Sequence, residues 1–117
     1  MRLIDETTGK VLASRVELAD TFWRRFRGLM FRRRFPRSSA MLFSLPKPGR
    51  YGIHMFFVRF PIDLLYLDSK FVVVGLRAEI RPWRTHRPKV IANYLIELPA
   101  GTISSLNIKI GHKITLQ

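Results

Sequence analysis

A chain of 117 residues with 47% hydrophobic and 25% charged content is sized for a single domain, residues 1–117, that can bury one core without disulfides or a structural metal. The lack of cysteine excludes disulfides, thiolate nucleophiles and thiolate zinc sites, and no apolar run approaches the roughly eighteen residues of a membrane span; the N-terminal MRLIDETTGK lacks the apolar core of a secretory signal, so a cytoplasmic location is expected. The balance of 21 Lys+Arg against 8 Asp+Glu, a formal net charge of +13, points to a polyanionic partner.

In chain order, the turn at Thr8-Gly9 opens a strand over 10–17, KVLASRVE. Asp20 is placed as the N-cap of a helix over 20–31, in which Phe22, Phe26 and Leu29 share one face at helical spacing while Arg24, Arg25 and Arg27 lie off it. Pro36 stops any continuation. From Ala40 the pattern is β: an apolar strand at 40–45, turn chemistry at KPGR, then strands at 51–58 and 62–68 separated by Pro61. A strand follows at 71–80, where Leu76, Ala78 and Ile80 alternate with Arg77, Glu79 and Arg81. The loop 81–89 contains two prolines, 90–98 is a further strand, 102–107 makes one helical turn, and 113–117 closes the chain. About seven short strands with one helix in the N-terminal half predict a mainly β protein, a small barrel or sandwich with few exposed strand edges.

The segments RFRGLM (25–30), MLF (41–43), HMFFVRFPIDLLYLD (54–68) and IELPAG (96–101), in this order and with these gaps, resemble the uncharacterised domain-of-unknown-function family 192 over nearly the whole chain. The resemblance implies a small β-barrel-like fold with one helix near the N-terminus, and it implies no activity. Many members carry an export signal that this chain lacks. The Gly-Asp found near the C-terminus of the family is Gly111-His112 here, so an acidic role at that turn does not carry over.

Within the apolar ribbon 54–68, Asp63 shares a strand face with Leu65 and Leu67. A carboxylate there must be answered by backbone N–H groups or by a cation, for which Arg59 is the nearest choice. Either Asp63 fixes the structure after Pro61, or it belongs to a polar pocket with His54, Glu97, Trp83 and His86. Asp63, His54 and Glu97 are the candidate catalytic residues, since two carboxylates and a histidine suit general acid–base chemistry when their environments separate their pKa values. No nucleophile elbow, phosphate loop or zinc-ligand spacing is present, so no cofactor and no metal are expected.

The densest signal is RRFRGLMFRRRFPR, seven arginines in fourteen positions (24–37) interleaved with Phe26, Phe31 and Phe35. No acidic residue lies between Asp20 and Asp63. Arginine excess and scarce Asn and Gln also occur in proteins of hot environments, but those add ion-pair networks, which need acids as well. The candidate polyanion-binding residues are Arg24, Arg25, Arg27, Arg32, Arg33, Arg34 and Arg37, joined by Arg84, Arg87 and Lys89 of a second basic stretch, with Trp83 and Phe35 available to stack bases. The preferred partner is the backbone of RNA or DNA. The alternative is a small molecule held in the polar pocket.

Overall fold

The computed structural model describes the backbone of residues 1–117 and every side chain except those of Phe22 and Trp23. Its elements are β1 (Leu3–Asp5), β2 (Lys10–Ala13), β3 (Arg15–Ala19), α1 (Phe22–Arg27), β4 (Ser39–Gly49), β5 (Ile53–His54), β6 (Ile62–Leu67), β7 (Val73–Ile80), β8 (Thr85–His86), β9 (Ala92–Pro99), α2 (Thr102–Leu106) and β10 (Ile114–Leu116). They form a five-stranded sheet in the order β3-β4-β9-β6-β7, a three-stranded sheet in the order β10-β1-β2, and a short ladder of β5 with β8. The class is mainly β, as the strand patterns imply, but the sheets do not close into a barrel. The larger sheet ends at β3 and β7, and β1, β2 and β10 pair among themselves instead of joining those edges.

Alternation along the central strands sorts their side chains onto two faces. Leu42, Leu65, Leu67, Ile96 and Leu98 face the smaller sheet and share a core with Leu3, Leu12, Ala13 and Ile114. Met41, Phe43, Ile62, Leu64, Tyr66 and Leu95 face the other way, into a second core with Leu29, Met55 and Val58. Every residue of β6 is buried, which is why its sequence reads as an almost unbroken apolar run instead of an alternating one.

The second face is covered by a crossover. β3 and β4 pair in parallel, so the chain must travel from one end of the sheet to the other between them. Residues 20–38 make that passage across the sheet, with Leu29 only 2% exposed and Met30 and Phe35 packed inward. Arg24, Arg27, Arg33, Arg34 and Arg37 stay exposed. The acid-free arginine run is therefore laid over one side of the molecule by the topology of a single connection.

Several local boundaries differ from the sequence reading, and β4 runs on to Gly49 through the expected turn at KPGR. The helix expected over 20–31 ends at Arg27, because Gly28 adopts φ 49°. Its cap is Thr21, not Asp20: the Thr21 hydroxyl accepts the Arg24 N–H at 3.2 Å. The strand expected over 10–17 is divided at Ser14, where the chain leaves one sheet for the other and the Ser14 N–H bonds to the Ser38 hydroxyl at 3.0 Å. The strand expected over 51–58 survives only as β5, since the chain turns at Met55, whose carbonyl accepts the Val58 N–H at 3.2 Å, and Phe57 takes φ 61°.

Candidate functional site

Asp63 is fully buried. Its Oδ1 accepts the Glu79 N–H at 2.9 Å and its Oδ2 accepts the Ile103 N–H at 2.8 Å. The first bond holds the point where β7 slips register against β6 between Ile62 and Leu64, with Glu79 at φ 55°. The second ties the first turn of α2 to the sheet. Backbone donors thus answer the carboxylate, and the expected cation Arg59 remains exposed.

Glu97 sits on the other side. In the register of β6 with β9 it lies opposite Leu64, while Asp63 lies opposite Leu98, so the two acids project to opposite faces and do not share a pocket. Glu97 is 9% exposed and lines a cavity of about 380 Å³ whose walls include Leu29, Phe43, Ile53, Met55 and Leu95. Burial raises its pKa to about 8, and the charge of Arg32 pulls it down only in part. The Tyr66 hydroxyl, on the same sheet face, is buried without a hydrogen-bond partner among the described residues. Burial, then the charge of Glu97, raises its pKa. His54 stands at the rim of the cavity, exposed, its Nδ1 accepting the Phe56 N–H at 3.3 Å. Of the five residues expected to meet in one pocket, only His54 and Glu97 line this cavity; Asp63, Trp83 and His86 do not. Burial, with help from the charge of Arg77, lowers the pKa of half-buried His86.

Next to that rim, four exposed aromatic rings touch in series. Phe31 stacks on Phe57 at 5.0 Å, Phe57 meets the Trp83 edge at 5.0 Å, and Phe56 approaches Trp83 at 6.1 Å. Their exposures run from 44% to 59%. Phe31, Phe57 and Trp83 all occupy the left-handed region, at φ 66°, 61° and 65°, where side chains other than glycine are uncommon. The backbone holds them there. The Phe31 N–H donates to the Phe57 carbonyl at 2.9 Å, the Trp83 N–H to the Met55 carbonyl at 2.8 Å and the Met55 N–H to the Arg84 carbonyl at 2.7 Å, with Met55 and Val58 buried beneath. Sequence reasoning singled out Trp83 but read Phe56-Phe57 as part of a strand. Adjacent residues on a strand face opposite ways, so a double aromatic before an arginine was the available signal that one ring stays outside.

The cations divide into tied and free groups. Arg32 donates bidentately to Glu17 at 2.7 and 2.5 Å, and this bond lowers the Glu17 pKa and raises that of Arg32. Arg24 lies 4.0 Å from Asp20. Arg25 spans the Asp20 and Ser44 carbonyls at 2.9 and 3.2 Å, and Arg37 donates to the Ala100 carbonyl at 3.2 Å. Among the described residues no carboxylate pairs with Arg27, Arg33, Arg34, Arg37, Arg84, Arg87 or Lys89. Arg33, Arg34 and Arg37 line a groove of about 460 Å³ with Pro36, Phe60 and half-buried Phe35, whose ring lies 5.7 Å from that of Phe60. Groove and aromatic cluster are joined by the chain itself, from Phe31 to Phe35.

The model of the DUF192 family, described as "Uncharacterized ACR, COG1430", matches residues 3–116. The chain belongs to this family. A UPF0127 protein of Thermococcus sibiricus is 47% identical over 114 residues, covering 96% of this chain and 72% of that protein, and one of Pyrococcus furiosus is 38% identical, covering 96% and 95%. The crystal structure of a protein from Sinorhizobium meliloti 1021 described as a candidate transcription regulator is similar at a TM-score of 0.86 and 26% identity, covering 97% of this chain and 89% of that one. A protein of unknown function from Novosphingobium aromaticivorans shares the fold at a TM-score of 0.88 and 24% identity, covering 99% and 84%.

In this DUF192 chain the histidine at the C-terminal turn has a visible role. His112 Nδ1 lies 2.7 Å from Oδ2 of fully buried Asp5, whose Oδ1 accepts the Thr7 N–H at 3.1 Å. Among the described residues no helix is long and apolar enough to cross a membrane, and no group of three or more His, Cys, Asp or Glu gathers at metal-binding range.

Proposed function

We propose that this protein binds single-stranded nucleic acid without strong sequence preference, stacking bases on the Phe31, Phe56, Phe57 and Trp83 cluster and holding phosphates with Arg33, Arg34, Arg37 and Arg84. The observation that carries the reading is the aromatic cluster: four large rings are kept outside, three of them on uncommon backbone conformations secured by hydrogen bonds, where burial would be the ordinary fate of such side chains. Among the described residues, Arg33, Arg34 and Arg84, which follow Phe31 and Trp83 in the chain, pair with no carboxylate. Stacking on exposed rings and charge along a groove are the two terms of sequence-tolerant single-strand binding. A duplex hides its base faces from such rings, and a lipid surface is flat, whereas the chain leads from Phe31 directly into a groove lined by Arg33, Arg34 and Arg37.

The test is anisotropy of a fluorescently labelled oligothymidylate, run beside a duplex of equal length and vesicles containing phosphatidylserine. Single-strand binding that weakens at least tenfold in Trp83→Ala and is lost in the Arg33→Glu, Arg34→Glu, Arg37→Glu triple variant is expected. Arg32 is left out of that set because it is already engaged by Glu17. Preference for vesicles or duplex, or equal binding by the triple variant, overturns the assignment.

A further inference from the structure

The cavity beneath α1 is separate from the stacking surface and has features of its own. Its walls are apolar, its volume of about 380 Å³ lies at the small end of ligand pockets, and at its floor Glu97, 9% exposed, makes no hydrogen bond among the described residues. Arg25, which lines the cavity, is clamped on two backbone carbonyls and pairs with no carboxylate among the described residues, so its remaining N–H groups are held in direction. His54, which also lines the cavity, offers Nε2–H, since Nδ1 is occupied as an acceptor.

We propose that this cavity binds a small organic acid: an apolar ring or branched chain against Leu29, Phe43, Met55 and Leu95, an anionic head on Arg25, and a carbonyl or hydroxyl at the far end on Glu97. The register sets the length of the occupant. Arg25 is held at Ser44, opposite Tyr94, and Glu97 lies opposite Met41. The two polar ends are therefore three residues apart along the sheet, roughly 10 Å at strand rise. That is the span of a hydroxyphenyl-substituted short-chain acid, and too short for a fatty acid in extended form. A buried carboxyl that keeps its proton at neutral pH does not repel an anionic ligand and can donate to its carbonyl. The rim of unpaired arginines adds long-range attraction for the same charge.

The experiment is calorimetric titration of the protein with 4-hydroxyphenylacetate, 3-(4-hydroxyphenyl)propanoate and 4-(4-hydroxyphenyl)butanoate, each beside its matched primary alcohol. Binding of the longer acids at least tenfold tighter than the alcohols is expected, falling at least tenfold in Arg25→Gln and abolished in Leu45→Trp, which fills the cavity from a half-buried wall position. Circular dichroism checks that each variant folds, and Ile53→Trp serves as a second filler should Leu45→Trp unfold. No binding of any acid at millimolar concentration, equal binding of acids and alcohols, or binding unaffected in a folded filler variant overturns the proposal. Oligothymidylate binding is measured on the same variants and is expected to be unchanged by either filler, which separates this site from the stacking surface.

Discussion

Asp63 and Glu97 leave neighbouring central strands towards opposite sides of one sheet: Asp63 lies across from Leu98, and Glu97 across from Leu64. One substrate group cannot touch both, so Asp63 and Glu97 do not work as a carboxylate pair. Their surroundings differ accordingly, since Asp63 is saturated by two backbone donors while Glu97 faces empty space.

For Asp63 the expected loss is structural. An amide in its place can accept only one of the two N–H bonds, leaving the other donor buried and unpaired at about 1–3 kcal/mol. Asp63→Asn should lower the unfolding free energy by that amount, read as a lower urea midpoint at unchanged slope, and should leave binding of oligothymidylate and hydroxyphenylalkanoates intact. Undiminished stability would show that the two bonds carry no net weight.

Glu97 links stability to alkaline pH. Its folded pKa is raised by burial from 4.5 to about 8. Between those values the unfolded chain has lost a proton that the folded chain keeps, so stability is highest below the lower value and declines as pH rises, by about 1.4 kcal/mol per unit over that window. Above the upper value the decline stops. Urea unfolding at pH 5, 7 and 9 should show this fall in the wild type and its absence in Glu97→Gln, with the two proteins similar at pH 5 and the variant more stable by a few kcal/mol at pH 9.

The left-handed aromatics separate backbone strain from ring function. At Phe57, with φ 61°, glycine relieves a conformation that alanine does not. Phe57→Gly should be about 1 kcal/mol more stable than Phe57→Ala, yet both should lose oligonucleotide affinity alike, by about 1–3 kcal/mol for one lost stack. Calorimetric melting and anisotropy read the two effects independently.

Salt distinguishes phosphate contacts from stacking. If about five phosphates are neutralised, the logarithm of affinity should fall with the logarithm of salt at a slope near −3.5, about a hundredfold between 50 and 200 mM. Trp83→Ala should shift that line downward without tilting it. The triple arginine reversal should flatten it.

Much of the strand content was legible because period-two alternation and turn residues are local signals, and β6, β7 and β9 lie close to where the pattern puts them. What escaped depends on distant partners. The parallel pairing of β3 with β4 is invisible in either strand, being set by the passage between them. The sequence puts Asp63 on a leucine-bearing face and Glu97 beside Leu95, but which face of the sheet each meets is fixed only by the register of β6 on β9. The cationic side was legible as composition. Its division was not: Arg32 is quenched by Glu17, fifteen residues earlier, whereas Arg33 and Arg34 are not. The aromatic cluster draws on three separated segments, so only Trp83, flanked by prolines and arginines, stood out.

The crossover also has a mechanical consequence. Residues 20–38 behave as a strap fastened at one end by β3, an edge strand of five residues, and at the other by β4. Lifting that strap leaves the ladder of β4, β9 and β6 whole, so amide exchange should be quickest along the strap and slowest in the ladder. The stretch that roofs the cavity with Arg25 to Met30 and the stretch that carries Arg33, Arg34 and Arg37 are thus one continuous length of chain, fastened at both ends.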